Sequence, residues 1–247
     1  MNLFLTSSPC NDDVPAGCGL PCIFYERNDF VRNLRACFRR GAFTVIAASP
    51  DAHDLNDEML QTFTGCFAWH GMPFTRSAIV DSRNPDSAAG LIRESSVIML
   101  GGGHVPTQNT FFRRLGLREL LQGFDGIIMG VSAGSMNCCG TVYAQPELPG
   151  EATDPDYPRF IDGLGLTDTM VLPHYNMVHD TTVDGLHLFR DISIPDSVGR
   201  AFYAIPDGSY VLSDGHTATL YGEAWLLQNG AMSLLQADGQ STILPRP

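Results

Sequence analysis

The sequence predicts an α/β fold, a three-layer sandwich in which a mostly parallel central sheet carries helices on both faces. Two features of the sequence lead to this prediction. Short apolar runs alternate with helical patterns through the first half of the chain, as they do in β-α-β units. After residue 200 the pattern changes to short strands separated by Gly-containing turns, which predicts a C-terminal β-hairpin edge. A chain of 247 residues suits one domain, and we expect that domain to span residues 1–247.

The elements follow one another in the order of β-α-β units. Strands are expected at Leu3–Leu5, Phe43–Ala48, Ile79–Val80, Val97–Leu100 and Ile127–Met129. Helices are expected at Phe30–Arg40, Glu58–Trp69, Ser87–Arg93, Phe111–Leu121 and after Ser132. Because strand and helix repeat in this way, the strands should pair in parallel.

The second half of the chain is less regular. Residues 145–168 are rich in proline and acidic side chains, which predicts a long surface loop. A helical stretch is expected near Thr181–Arg190. Short strands follow between Ala201 and Leu235, with predicted hairpin turns at Asp207-Gly208, Asp214-Gly215 and Asn229-Gly230.

Composition excludes several classes of partner. The formal net charge of −12 opposes binding to nucleic acid or to an anionic membrane. No stretch approaches the roughly 20 apolar residues of a membrane span. The seven cysteines are an odd number, and no second Cys or His pair at zinc-finger spacing follows Cys18 and Cys22. We therefore expect reduced thiols, no metal or organic cofactor and, since the N-terminus lacks a basic leader, a cytoplasmic location.

The strongest motif is a Gly-x-Ser-x-Gly sequence that follows a short apolar strand and precedes a helical segment. Gly130, Ser132 and Gly134 occupy its three fixed positions. This context is typical of a nucleophile elbow, in which a strained strand-to-helix turn exposes the serine hydroxyl. The same motif arises by chance in Gly- and Ser-rich turns, but the flanking strand and helix favour the functional interpretation.

A second glycine-rich turn ends the predicted strand Val97–Leu100. Gly101, Gly102 and Gly103 have no side chains to block the backbone, so an oxyanion could come close enough to accept hydrogen bonds from their N–H groups. Such turns also cradle phosphates or simply reverse the chain. By itself this motif is therefore weak.

A serine nucleophile needs a base and a carboxylate that orients the base. Of the seven histidines, His174 directly follows an apolar strand, where a loop at the carboxyl end of the sheet would present it to the elbow. His174 is therefore a candidate for the general base, with a surface histidine as the alternative interpretation.

Together, the Gly-Gly-Gly turn, Gly-x-Ser-Ala-Gly, Pro-His and a late Pro-Asp-Gly resemble the peptidase E family, relatives of cyanophycinase. The resemblance implies the fold of class I glutamine amidotransferases. It implies Ser132 as the nucleophile, His174 as the base and Asp207 as the acid, with Glu147 as the alternative acid. The oxyanion donors would be the N–H of Ala133 and an N–H from Gly102 or Gly103.

The resemblance also implies an activity, namely serine-type exopeptidase cleavage of short peptides, including dipeptides with N-terminal Asp. The side chains expected to bind substrate are Gln108, Asn109, Tyr175 and Arg190, with Arg113 and Arg159 as further candidate cations. At this glycine-rich turn the family usually has Gly-Gly-Asn-Thr-Phe, whereas here His104 and four further residues lie between Gly103 and Asn109. Cyanophycinase-like or esterase chemistry and a non-catalytic binding module remain open, as do a monomer and a homodimer.

Overall fold

The computed structural model describes residues 1–245. Its strands are β1 (Asn2–Thr6), β2 (Cys10–Asn11), β3 (Ile23–Phe24), β4 (Ala42–Ile46), β5 (Arg76–Val80), β6 (Ser95–Leu100), β7 (Ile127–Val131), β8 (Thr141–Tyr143), β9 (Phe160–Asp162), β10 (Met170–Leu172), β11 (Thr182–Val183), β12 (Leu186–His187), β13 (Ala201–Ala204), β14 (Tyr210–Ser213), β15 (Ala218–Tyr221), β16 (Ala224–Gln228), β17 (Ala231–Gln236) and β18 (Ser241–Ile243). The helices are α1 (Phe30–Cys37), α2 (His53–Trp69), α3 (Ala88–Glu94), α4 (Val105–Leu115), α5 (Leu117–Leu120), α6 (Ala133–Asn137), α7 (Tyr175–Val178) and α8 (Ile194–Asp196). None of the helices within residues 1–245 has the length and apolar character needed to cross a membrane.

The central sheet has eight strands in the order β18-β15-β14-β1-β7-β6-β4-β5. Strands β1, β7, β6, β4 and β5 pair in parallel, whereas β14, β15 and β18 add an antiparallel edge. The parallel strands β1, β4, β6 and β7 are mostly buried, as expected for strands covered on both faces. The predicted fold class, including the C-terminal hairpin edge, is confirmed.

Helices cover both faces of this sheet because successive strand residues point to opposite sides. On one face, Phe4 packs in a cluster with Phe30 of α1 and Phe67 of α2. On the other face, Leu3 and Leu5 pack in a cluster that includes α3, α4 and α5. In this three-layer sandwich, the two clusters are the interfaces between the central sheet and the helical layers on its two faces.

The strands after residue 200 divide between two sheets, so the three predicted turns do not all lie at the hairpin edge of the central sheet. Strands β10, β13, β16 and β17 form a second sheet of four strands. Asp214-Gly215 and Asn229-Gly230 do connect paired strands. Asp207-Gly208 instead carries the chain from β13 in the second sheet to β14 in the central sheet. Gly208 has a positive φ of 83°, a conformation that serves such a crossing as well as a hairpin turn.

The helix expected near Thr181–Arg190 is also wrong. The short strands β11 and β12 form a ribbon there, followed by a π-helical turn at Leu188–Ser193. The chain reverses at Asp184 and Gly185, both of which have positive φ and would interrupt a helix. The predicted loop at 145–168 is mostly irregular, but it includes β9, which pairs with β8.

Candidate active site

The candidate active site lies at the carboxyl ends of β1 and β7, which are neighbours in the central sheet. Thr6 at the end of β1 is paired with Val131 at the end of β7, so Ser7 and Ser132 follow them side by side. The Ser132 N–H donates to the carbonyl oxygens of Thr6 and Ser7, at 3.0 Å each. This pairing ties the turn after β7 to the turn after β1.

Ser132 has the backbone conformation of a strained strand-to-helix turn. Its φ of 53° and ψ of −118° are rare for a residue with a side chain. The glycines on either side allow the turn to pack tightly. A Cβ on Gly130 would lie 2.6 Å from the Cα of Ser135, and one on Gly134 would collide with the Leu100 carbonyl oxygen. Only glycine therefore fits at both positions of the motif.

Three backbone N–H groups near Ser132 have no acceptor among residues 1–245. They belong to Ala133, which follows Ser132, and to Gly102 and Gly103, which follow β6. Gly102 lies against the nucleophile turn, because a Cβ added to it would be 3.3 Å from the Ser132 Cβ. Unpaired N–H groups beside a serine are the usual components of an oxyanion hole.

His174 and Asp207 form a hydrogen-bonded pair. The His174 Nδ1 lies 2.8 Å from the Asp207 Oδ1, and about 30% of each side chain is exposed (29% and 30%). His174 has a φ of 59° at the turn between β10 and α7. Its backbone N–H donates a hydrogen bond to the Ser7 Oγ at 2.7 Å. A carboxylate on Nδ1 fixes the tautomer that leaves Nε2 free to accept a proton.

Two residues at the end of β1 hold the Asp207 carboxylate. The Ser7 hydroxyl donates to its Oδ1 at 2.5 Å and the Ser8 N–H donates to the same atom at 3.0 Å. Burial acts to raise the pKa of Asp207, but the hydrogen bonds from His174 and Ser7 outweigh it and lower the pKa below its usual value. Asp207 therefore stays ionised beside the histidine.

Sequence reasoning missed Ser7 and Ser8. They lie 167 and 199 residues from the partners they hold, His174 and Asp207. The available signal was their place directly after the first apolar strand, since the carboxyl ends of neighbouring parallel strands meet at one edge of the sheet. Polar residues that directly follow these strands are therefore candidates for the active site, as are the residues of the nucleophile turn.

Ser132 and His174 line one pocket of about 300 Å³. Its apolar wall consists of Val105, Met136, Val178, Val183 and Leu188. Glu147 is the one acidic residue among the lining side chains, and within residues 1–245 no arginine lines this pocket. Glu147 belongs to the wall of the pocket, whereas Asp207 is the carboxylate that contacts His174.

The structure does not bring the other predicted substrate-binding residues to this pocket. Gln108 and Asn109 are buried in the core, where both hydrogen-bond to Asn137. Tyr175 is buried against Trp225, with ring centroids 5.2 Å apart. Arg190 is exposed and paired with Asp191. None of these four side chains lines the pocket that Ser132 and His174 share.

The two further candidate cations also lie elsewhere. Arg159 is paired with Asp196 at 2.8 Å. Arg113 lines a separate cavity between α4 and α5. Neither of them lines the pocket at Ser132 and His174.

The candidate active site does not gather metal ligands. Within residues 1–245, the one group of at least three His, Cys, Asp or Glu side chains close enough to share an ion consists of Cys10, Cys22 and Cys66. That cluster lies outside the pocket at Ser132. The pocket at Ser132 brings together a serine, the His174–Asp207 pair and backbone N–H groups without an acceptor among residues 1–245.

Comparison with known proteins gives two kinds of result. The sequence profile described as peptidase family S51 matches residues 35–221. Among solved structures, a peptidase from an acI-B1 actinobacterium superposes with a TM-score of 0.64 at 17% identity, covering 98% of this chain and 96% of the other. A "putative peptidase E protein" from Listeria monocytogenes EGD-e superposes with a TM-score of 0.58 at 16% identity, covering 95% and 98%. Among curated protein sequences, none matches this chain.

Proposed function

This chain belongs to peptidase family S51, and we propose that this peptidase uses Ser132 as its nucleophile, His174 as its general base and Asp207 to orient the base. The observation that carries the proposal is the pair of His174 and Asp207, 2.8 Å apart, in a pocket that His174 shares with the strained Ser132. Glu147, the alternative acid, is exposed and makes no contact with His174 among the described residues. Asp207 is therefore the better candidate.

The proposed reaction follows from these contacts. His174 accepts the Ser132 hydroxyl proton on Nε2 while the serine oxygen attacks the peptide carbonyl carbon. His174 then protonates the leaving amine, and the acyl group stays on Ser132. Water attacks the acyl group in a second cycle of the same proton transfers, which releases the acid and regenerates the serine.

The N–H groups of Ala133, Gly102 and Gly103 support this chemistry. Each lacks an acceptor within the described residues. The tetrahedral intermediate carries a negative charge on the former carbonyl oxygen, and preorganised donors stabilise that charge more than they stabilise the substrate. Removal of one such donor typically costs about 3 kcal/mol of transition-state stabilisation.

The pocket favours short peptides with an apolar residue on the acyl side of the cleaved bond. A volume of about 300 Å³ is at the lower end of the range for small-molecule sites. The apolar wall suits a branched or thioether side chain, and the Glu147 carboxylate could receive the free α-amino group of the first residue. Among the residues that the structure describes, no arginine lines the pocket to receive an N-terminal Asp side chain, and Glu147 would repel that side chain.

Hydrolysis of a dipeptide panel tests this function. The panel carries N-terminal Leu, Met, Val, Asp, Asn or Ser, and it is offered to wild type, Ser132→Ala and the control Ser241→Ala, which changes an exposed serine of β18. We expect cleavage of the Leu, Met and Val members, a loss of at least about 10³-fold in Ser132→Ala, and wild-type rates in the control.

Each other outcome has a definite meaning. Full activity of Ser132→Ala would refute the mechanism. Preference for N-terminal Asp would refute the apolar specificity, and cleavage of β-aspartyl-arginine polymer alone would indicate cyanophycinase-like chemistry. Failure to cleave any member, together with no labelling by a fluorophosphonate serine probe, would indicate a binding module.

Glu147→Gln separates the two roles considered for Glu147. If Glu147 binds the substrate amine, KM for free dipeptides should rise about fivefold while kcat changes little, because a charge-assisted contact of this kind is worth about 1 kcal/mol. The control is Glu58→Gln on the exposed side of α2, which should change neither constant. A fall of kcat by several orders of magnitude with unchanged KM would instead make Glu147 the acid of the catalytic group.

A further inference from the structure

Three cysteines from separate parts of the sequence meet on the face of the sheet covered by α1 and α2. The sulfur atoms of Cys10, Cys22 and Cys66 all lie within 4.8 Å of one another. Cys10 is in β2, Cys22 immediately precedes β3, and Cys66 is in α2. The sequence shows no recognisable metal-binding spacing here, because Cys66 is 44 residues beyond Cys22.

From this geometry we propose that Cys10, Cys22 and Cys66 form a binding site for a thiophilic d¹⁰ cation, for which Zn²⁺ is the probe. The Sγ atoms of Cys10 and Cys66 are 3.9 Å apart. With Zn–S bonds of about 2.3 Å, tetrahedral coordination places neighbouring sulfurs roughly 3.8 Å apart. The Cys10–Cys66 spacing thus matches one edge of a metal–thiolate site, the Cys22 sulfur lies within 4.8 Å of both, and the fourth coordination position is left to water.

The spacing fits a disulfide less well. A disulfide requires a sulfur–sulfur distance of about 2.05 Å, so Cys10 and Cys66 would have to close by nearly 2 Å and the third thiol would remain unpaired. Cys10 and Cys22 are half-buried and Cys66 is fully buried. An ion could therefore reach the site past the half-buried Cys10 and Cys22 and then bind the buried Cys66 of α2 as well.

The segment between β2 and β3 is packed closely on α2 at this place. Gly65, next to Cys66, lies so near Leu20 that an added Cβ would be 2.5 Å from the Leu20 Cδ2. The Cys66 Sγ also donates to the Cys22 carbonyl oxygen at 3.2 Å. The three thiols thus converge where the loop and the helix approach each other most tightly.

The site is connected to the candidate active site through Ser8. The Ser8 Oγ donates to the Cys10 carbonyl oxygen at 3.1 Å, and the Ser8 N–H holds the Asp207 carboxylate. A cation bound by Cys10, Cys22 and Cys66 would fix the start of the loop two residues from Ser8. Its expected role is structural, namely to hold the end of β1 in the conformation that supports Asp207.

The proposal is tested by metal titration of reduced, metal-free full-length protein. Zn²⁺ is titrated against a chromophoric chelator, and Co²⁺ is used to detect thiolate-to-metal charge-transfer absorption. We expect one equivalent of Zn²⁺, the charge-transfer band, and at least 100-fold weaker binding in Cys10→Ser. The matched control is Cys37→Ser, a half-buried cysteine outside the cluster, which should bind like wild type.

A second measurement keeps the test decisive if a variant folds poorly. Zn²⁺ should raise the Tm of wild type and of Cys37→Ser but not that of Cys10→Ser, because an ion stabilises only the state that binds it. Equal affinity in wild type and Cys10→Ser would overturn the proposal. Two results found together would also overturn it. The first is a Cys10–Cys66 disulfide, detected by mass spectrometry in protein kept in glutathione buffer, and the second is the absence of a charge-transfer band in Co²⁺-loaded wild type.

Discussion

At the residue scale, the polar contacts around Asp207 define the candidate active site. Its carboxylate accepts from His174, from the Ser7 hydroxyl and from the Ser8 N–H. Ser7 has a double role, because its Oγ also accepts the His174 N–H. The Ser7 hydroxyl group therefore holds both His174 and Asp207 in place.

The first residue-scale prediction concerns Asp207→Asn. The amide would favour the wrong tautomer of His174, so we expect kcat to fall by about 10³ to 10⁴-fold. The control is Asp13→Asn, an exposed aspartate in the loop after β2, which should retain wild-type kcat. Steady-state kinetics on the best dipeptide of the panel, with circular dichroism to verify folding, measures the effect. A loss below tenfold would show that Asp207 does not orient the base.

At the scale of elements, the nucleophile turn depends on how closely β6, β7 and α6 approach one another. Gly134, the second residue of α6, lies directly over the Leu100 and Gly101 carbonyl oxygens at the end of β6. The Ser135 hydroxyl donates to the Thr6 carbonyl oxygen at 2.7 Å and binds the same helix to β1. The short helix is therefore held by strands on both sides, which explains how the strained Ser132 conformation is maintained.

Gly134→Ala should destabilise this arrangement. The new methyl group would overlap the Leu100 carbonyl oxygen, and we expect a loss of about 3 kcal/mol in the free energy of unfolding. The control is Gly90→Ala in α3, where an added Cβ meets nothing within 4 Å and should stabilise the helix by about 0.5 to 1 kcal/mol. Urea denaturation measures both values. Equal stability of the two variants would show that the turn can relax.

The wall of the pocket is made by two connected elements. The Glu151 carboxylate accepts from the N–H groups of Glu147 and Leu148 and contacts His104 Nε2 at 2.8 Å. The Asp184 carboxylate, in the turn between β11 and β12, accepts from the Gly150 N–H at 2.8 Å. The irregular segment after β8 is thereby tied to α4 and to the ribbon, which gives the pocket a defined shape.

At the scale of the whole molecule, the pH dependence of stability follows from carboxylates held by arginines and N–H groups. Asp81 is fully buried after β5 and receives hydrogen bonds from Arg83 and Asn56. Burial acts to raise the pKa of Asp81, but the bonds from Arg83 outweigh it, so the pKa is lowered. Arg190 and the His187 N–H likewise lower the pKa of Asp191 to about 2.

A carboxylate with a lowered pKa in the folded state stabilises the fold at pH values above its unfolded pKa of about 4. That contribution is lost as the pH falls through the folded pKa. We therefore expect the free energy of unfolding to decline below about pH 4. Asp81→Asn should lower it by about 2 kcal/mol at pH 7 and by much less at pH 2. Urea denaturation at both pH values, with exposed Asp51→Asn as control, tests this, and an equal loss at both values would contradict it.

The predictions from sequence were most accurate where the signal is local. Alternation of apolar runs with helical patterns led to a mostly parallel α/β sheet, and Gly130, Ser132 and Gly134 identified the turn. The helix expected near Thr181–Arg190 failed because its spacing suits a helix, whereas Asp184 and Gly185 adopt left-handed conformations. Such a reversal depends on contacts to the neighbouring loop, as with Asp184 and Gly150.

The sequence by itself determined the fold class and located the Gly-x-Ser-x-Gly turn, because strand periodicity and turn chemistry operate over a few residues. The resemblance to the peptidase E family pointed to His174 and to the two candidate acids. Only the tertiary structure decided that Asp207 meets His174, that Ser7 and Ser8 hold both, that Gln108 and Asn109 are core residues and that three cysteines converge. Those facts depend on pairings between residues far apart in the chain. They are fixed by the order of strands in the sheet, which local patterns do not encode.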